Sequence, residues 1–205
     1  MSDWNLKNLI DRIFSGTGFS DPAEDSTKKL SNEEMQNTYI SETIKRLGLP
    51  MQTYGAFQNF SDKVAEIESN SNTKAKNKNT TATGAFQFVK GSVLPALNRM
   101  ARFGDLEPWA EKLRNEYLEG NITDEQHRKL ISDLSYGQQE SMFLADIFEK
   151  TIDRPGYGDY LLRKVTQGDV EAMKELYYKG HHTNPDEATI NRTNISARNI
   201  DSCCP

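Results

Sequence analysis

Long apolar runs are missing from this sequence. None approaches the roughly 18 residues that a bilayer-crossing helix needs, so no membrane span is expected. Cysteine is almost absent. The two that occur, Cys203 and Cys204, are neighbours, which suits disulfide geometry poorly, so two free thiols in a tail are expected and no disulfide framework. β-Branched residues nowhere alternate over a useful length, which leaves almost no strand signal. Excess positive charge is lacking as well: 25 Lys and Arg stand against 30 Asp and Glu, a net charge of -5. A nucleic-acid partner, which needs a net basic face to displace counterions, is therefore not expected. The start, Met1-Ser2-Asp3-Trp4, has neither a basic region nor a long apolar one behind it, so it does not read as a secretory signal. Acid is missing from one internal stretch, since residues 69–104 contain no Asp or Glu.

What is present suffices for one globular domain with peripheral arms. The 205 residues are 36% hydrophobic and the mean hydropathy is -0.74, so much of the chain is solvated. Polar segments fall at 15–33, 69–83 and 181–205. The expected division is an amphipathic helix and linker over 1–30, a helical domain over 31–183 and a polar tail over 184–205. In the first segment Ser2 is a candidate N-cap, and Leu6, Leu9, Ile10, Ile13 and Phe14 share a helical face. That face either packs on its own domain or anchors the chain to another protein. The tail is Asn-rich and aperiodic, suited to an extended form or to ordering by a partner.

Helical periodicity dominates the centre. Ser31-Asn32-Glu33-Glu34 forms a capping box ahead of the stripe Met35, Tyr39, Ile40, Ile44 and Leu47, and Gly48 with Pro50 ends that helix. Residues 54–69 place Phe57, Phe60, Val64 and Ile67 at three- and four-residue steps. Residues 84–103 show a helical period interrupted by Gly91 and Pro95. Pro108 opens a helix whose stripe is Trp109, Leu113, Tyr117 and Leu118. Thr123 through Gln126 is a second capping box. Gly137 separates the helix after it from a core helix containing Met142, Phe143, Ala145, Ile147 and Phe148. A short helix over 159–165 and one capped by Gly168-Asp169 through Tyr178 complete a mainly α fold, with at most a small hairpin near 70–85.

The candidate chemistry lies at the end of the 54–69 helix. Glu68 stands beside Ile67 at the rim of the apolar face, while Glu66, about 200° away around a helix, faces elsewhere. Ser69 follows. After a loop carrying Lys74, Lys76 and Lys78 comes Gly84-Ala85-Phe86-Gln87, so that Gln87 returns 19 residues after Glu68. The lysines are either a solvated loop or a meeting place for carboxylates. A carboxylic acid held protonated by desolvation can donate to a glycosidic oxygen, and Phe86 and Phe88 are expected across the loop from Glu68. With no acid in 69–104 to oppose it, a one-carboxylate mechanism is favoured. His181 and His182 invite a metal reading, but a site needs three or four converging ligands and the only other histidine is His127. No metal and no cofactor are expected, and the two histidines fit better at a helix C-terminus.

Glu68-Ser69 followed by Gly84-Ala85-Phe86-Gln87 resembles the lysozyme-like lytic transglycosylases, which cut the glycan strands of bacterial peptidoglycan. The resemblance is good over residues 55–100 and loose over 125–190. It implies a lysozyme-like fold, α+β with minimal β, and Glu68 as the catalytic acid and then base. It further implies sugar binding at Ser69, Gly84, Phe86 and Gln87, with the residue 84–86 backbone lining the sugar cleft. The product implied is a 1,6-anhydro end formed by cleaving the MurNAc-GlcNAc β-1,4 bond. The family's loop hydroxyl has three claimants, Thr80, Thr81 and Thr83. Gln138-Gln139 corresponds to a glutamine-containing helix. The family's third motif, Tyr-Asn-x-Gly, is matched in part by Tyr177-Tyr178-Lys179-Gly180, without the Asn; Tyr178 is the first choice to hold Glu68 and Tyr177 the second. Without an export signal, the expected setting is a phage virion that opens the host wall from the periplasmic side during genome entry. Residues 2–14 and 184–205 would dock to other virion proteins. The alternatives are a structural virion protein with a weakly active or inactive lysozyme-like fold, and a hydrolytic muramidase.

Overall fold

The computed structural model describes residues 37–152 and 156–181. The arm expected over 1–30, the capping box at 31–34, His182 and the tail over 184–205 lie outside the described residues. Eight α-helices occur among the described residues: α1 (Thr38–Leu47), α2 (Tyr54–Ser69), α3 (Lys90–Met100), α4 (Pro108–Leu118), α5 (Asp124–Ser132), α6 (Tyr136–Ile152), α7 (Tyr157–Thr166) and α8 (Val170–His181). A 3₁₀ turn at Met51–Thr53 leads into α2. The fold is mainly α, as the periodicity implied. Its β content among the described residues is two antiparallel bridges, Lys76 with Thr83 and Thr83 with Phe88.

Local signals set most of the ends. Gly48 closes α1 in the left-handed conformation (φ 61°), its amide bonded to carbonyls of the last turn. Thr123 and Gln126 cap α5 reciprocally, and Pro108 opens α4 at its first position. Three boundaries differ from expectation. Helix α1 begins at Thr38 with a cap of its own: Asn37 is extended, and its side-chain oxygen accepts from the amides of Tyr39 and Ile40. Helix α6 runs straight through Gly137. The break lies just before it, where Ser135 and Gln138 cap each other: the Ser135 amide donates to Gln138 Oε1 (2.9 Å) and the Gln138 amide to Ser135 Oγ (3.3 Å). Phe86 and Phe88 precede α3 instead of belonging to it, and α3 passes through Gly91 and Pro95 with Pro95 on its exposed side. Leu118, expected in the α4 stripe, is 53% exposed.

Helix α6 is the axis of the core. Met142, Phe143, Leu144, Ala145, Ile147 and Phe148 are all buried. Phe148 meets Phe57 of α2 edge-on at 5.1 Å, and Phe143 lies between Phe60 (6.1 Å) and Phe86 (4.4 Å). Aromatic pairs at such separations add to the burial of their area. Carboxylates on α6 are buried too, and each has partners. Asp146 takes Arg99 of α3 and Lys150 (both 2.5 Å), Glu149 takes Arg46 of α1 (2.9 Å) and Arg102 (3.3 Å), and Glu140 accepts from the Ser61 hydroxyl. A buried ion left unpaired costs several kcal/mol, on the order of 3–5, so these pairings fix how α1 and α3 lie on α6. Helix α7 crosses the end of α6 so closely that a Cβ at Gly158 would stand 1.8 Å from the Thr151 carbonyl oxygen.

Candidate functional site

Glu68 is the penultimate residue of α2 and half-buried. Its neighbour Ile67 faces the core, while Glu66 is turned away, 48% exposed and paired with Lys63 at 3.3 Å, as the helical angle required. One partner of Glu68 comes from α8: the Tyr177 hydroxyl donates to Glu68 Oε1 at 2.5 Å. Tyr177 is fully buried. Burial, reinforced by the Glu68 charge and the bond to it, pushes its phenol well above the usual range, so it remains a donor.

This corrects the choice of tyrosine. Tyr177 follows Met173 by four residues on the inward stripe of α8, where Met173 and Leu176 are also buried. Tyr178 is turned about 100° from that stripe. It is half-buried, with its ring 5.4 Å from that of Tyr177.

Ser69 ties the end of α2 to the returning segment. Its hydroxyl donates to the Ala85 carbonyl (2.8 Å) and accepts from the Asn72 amide (3.0 Å), so helix end, loop start and residues 84–87 meet at one oxygen. Gly84 is in the left-handed region (φ 86°). Gln139, buried on α6, underpins this turn. Its Oε1 accepts from the Ala85 amide (2.7 Å), and the two hydrogens of its Nε2 are shared among the carbonyls of Thr73, Ile131 and Leu134 (3.1 Å each). Gln87 is half-buried with a positive φ of 50°, rare for a non-glycine residue, and its side-chain amide returns to the Gly84 carbonyl at 2.9 Å.

Phe86 does not present its side chain to a ligand. It is fully buried, and its ring stacks at 16° on Phe143. Phe88 is likewise in the core. Their rings bury more apolar area in the core than they could across an open loop. The three threonine hydroxyls are all engaged within the loop: Thr80 accepts from Ala82, Thr81 from the Lys90 amide, and Thr83 donates to the Thr81 carbonyl.

His127 escaped sequence reasoning, in which it was only the third histidine. It is fully buried, and two carbonyls, Thr81 O (2.9 Å) and Phe88 O (3.1 Å), face its Nε2, while the Tyr117 hydroxyl meets Nδ1 at 2.6 Å. Two acceptors at Nε2 place a hydrogen there, and in the neutral ring that burial favours, Nδ1 accepts from Tyr117. It clamps the returning part of the 70–89 loop, at Thr81 and Phe88, onto α5. The position of His127 just inside a strong capping box, on a face shared with Ile131, was the available signal.

Burial is the main reason the His127 pKa lies below its ordinary 6.5, and Lys90 adds to it. A depressed folded pKa means that the unfolded chain binds the proton first. The contribution is therefore present above 6.5 and lost as pH falls through the lower folded value. Glu140, pushed up by burial, acts oppositely, stabilising below its ordinary 4.5 and losing that as pH rises through its folded value. Thermal melts between about pH 7.5 and about pH 5 should thus show a steeper acid loss in the wild type than in His127→Gln. Equal slopes would remove His127 as the cause.

Family models, curated proteins and solved structures were all compared with the chain, and none matches.

Proposed function

We propose that the chain is a lysozyme-like lytic transglycosylase that cleaves peptidoglycan glycan strands, with Glu68 as its catalytic residue. The observation that carries the reading is the pairing of a half-buried helix-end carboxylate with a buried tyrosine 109 residues away. A surface glutamate with no task has no need of such a partner. The Tyr177 bond fixes Oε1 and hence the plane of the carboxyl group. A general acid needs this, because proton transfer depends on placement within hydrogen-bond reach. The segment after α2, rooted by Ser69 and Gln139, sets the position of residues 84–87 relative to that carboxyl.

In this reading protonated Glu68 gives its proton to the glycosidic oxygen as the C1–O bond breaks. The resulting carboxylate then takes the proton of the sugar's own C6 hydroxyl, whose oxygen closes onto C1. The proton count balances, no water enters, and the product is a 1,6-anhydro end. Residues 69–104, of which Ala85 returns to the end of α2, contribute no acid, and this favours one carboxylate in two roles over a pair. The setting proposed is a phage virion, acting on the host wall during genome entry.

The test is a digest of purified peptidoglycan, with products read by mass spectrometry. Anhydro-ended muropeptides are expected. Reducing-ended products would make the enzyme a hydrolase, and no products from folded protein would leave a structural virion protein. Tyr177→Phe should lower kcat about 10- to 100-fold with KM little changed, since the carboxyl loses its orientation and the cavity stays filled. A proportional rise in KM instead would place Tyr177 in substrate binding.

A further inference from the structure

Residues 69–104 contain six cations and no acid, in a chain of net charge -5. The six divide sharply. Lys90 pairs with Asp124 (2.6 Å), Arg99 with Asp146 (2.5 Å) and Arg102 with Glu149 (3.3 Å), so three of them tie this segment to α5 and α6. Lys74, Lys76 and Lys78 are all exposed and make no ion pair among the described residues. They occupy alternate positions on one arm of the 70–89 loop. That arm is firmly built: the Asn77 amide donates to Ala82 O (2.9 Å) and the Gly84 amide to Ala75 O (2.9 Å) around the Lys76–Thr83 bridge. The side chains of Asn72 and Asn77 hold the amides of Lys74 and Asn79. The arm leaves the fold directly after Glu68-Ser69 and re-enters it at Gly84, clasped at its base by Ser69 and Gln139.

We infer that this arm is a docking surface for the carboxylates of the peptides carried by peptidoglycan strands, an inference that rests on the reading of Glu68 given above. Charge complementarity selects the ligand. Three cations on a fixed arm, within a protein otherwise acidic, suit a few discrete carboxylates better than a continuous polyanion, which the net charge of -5 repels. Covalent structure supplies the placement. The peptide is borne by the muramyl sugar, whose own glycosidic bond is the one cleaved. A strand with that bond at Glu68 brings its peptide to the region where the lysine arm begins.

The experiment uses the full chain carrying Glu68→Gln, so that strands are held uncut. Its affinity is measured by titration for soluble glycan strands with their peptides and for strands stripped of them by an amidase. A preference of about tenfold for peptide-bearing strands is expected, since three exposed charge contacts each give a small gain that salt screens. Adding Lys74→Gln, Lys76→Gln and Lys78→Gln should bring the preference close to unity, and the three corresponding Lys→Glu changes should invert it. Because these side chains make no ion pair among the described residues, melting temperatures should stay near the parent's, which shows that the fold is kept. A preference that survives in the triple variant overturns the inference, as does its absence from the parent. Lysine-dependent binding of a short DNA duplex as tight as that of peptide-bearing strands would make the arm a general polyanion site and overturn it too. The failures separate: anhydro products from the wild type with no preference in the parent sink the lysine assignment alone, whereas neither cleavage nor strand binding sinks the transglycosylase reading as well.

Discussion

Glu68→Gln is expected to abolish anhydro-muropeptide release, lowering kcat by at least about a hundredfold and by up to about 10⁴-fold, the range that a positioned acid–base group supplies. The upper part of the range is the expectation here, because in the proposed mechanism one carboxyl group serves as both acid and base. The amide cannot protonate a leaving oxygen and cannot accept the C6 hydroxyl proton. It does retain an oxygen for the Tyr177 hydroxyl, so the buried phenol keeps an acceptor and the junction of α2 with α8 stays intact. Stability should therefore change by no more than about 0.5–1 kcal/mol, with substrate binding retained. Glu66→Gln is the matched control: same helix, two residues earlier, exposed and paired with Lys63. It should retain wild-type activity. A Glu68→Gln protein with more than about a tenth of wild-type kcat would remove Glu68 from the chemistry, because no general acid contributes so little.

The sequence made some of this site legible and hid the rest, for reasons that can be traced residue by residue. Whatever depended on neighbours in the chain could be read. The extent of α2 at Tyr54–Ser69, the outward turn of Glu66, the Gly48 cap and the Thr123–Gln126 box all follow from helical angle and capping chemistry. The Ser135–Gln138 pair was equally local, but a glycine two residues after Ser135 drew the boundary instead. A helix tolerates such a glycine at a cost of only about 1 kcal/mol.

Choosing between Tyr177 and Tyr178 required the rotation of α8 about its axis. The period through Met173 and Leu176 contains that rotation, but the family pattern does not. The bonding of Gln139 and His127 was out of reach for a different reason, although the family resemblance points to Gln139 and the capping box places His127. Their partners lie at separations such as 54 residues for Ala85 and 46 for Thr81, and no pattern in the chain announces a side chain that bonds to backbone so far away. Phe86 and Phe88 misled because aromatic residues beside a loop suit a sugar site and a core equally well. Only the proximity of Phe143 decides between them.

Gly84→Ala should be the most damaging single-methyl change near the site, costing about 3 kcal/mol or more. Two effects combine. At φ 86° an alanine backbone is strained by about 1–3 kcal/mol. The added Cβ would also stand 2.3 Å from Gln139 Oε1 and 2.9 Å from Ile131 Cγ2. A flexible side chain would move aside, but Gln139 is fully buried and its amide meets four partners, Ala85, Thr73, Ile131 and Leu134. Displacing it takes a partner from the buried Ala85 amide and from the carbonyls of Thr73 and Leu134, and each loss is worth about 1–3 kcal/mol unless a new partner is found. Gly120→Ala isolates the strain, since Gly120 has φ 77° but nothing within 4 Å of an added Cβ. Urea denaturation should show the larger loss at Gly84, and the excess over Gly120→Ala measures the clash. In a cycle with Gln139→Ala the double variant should lose less than the sum of the two singles, because the second change removes the atom that the methyl strikes. Strict additivity would mean that the methyl never met Gln139. A loss at Gly84 no greater than at Gly120 would mean that the turn yields, and the 84–87 segment would then lack the rigidity that the proposed chemistry at Glu68 requires.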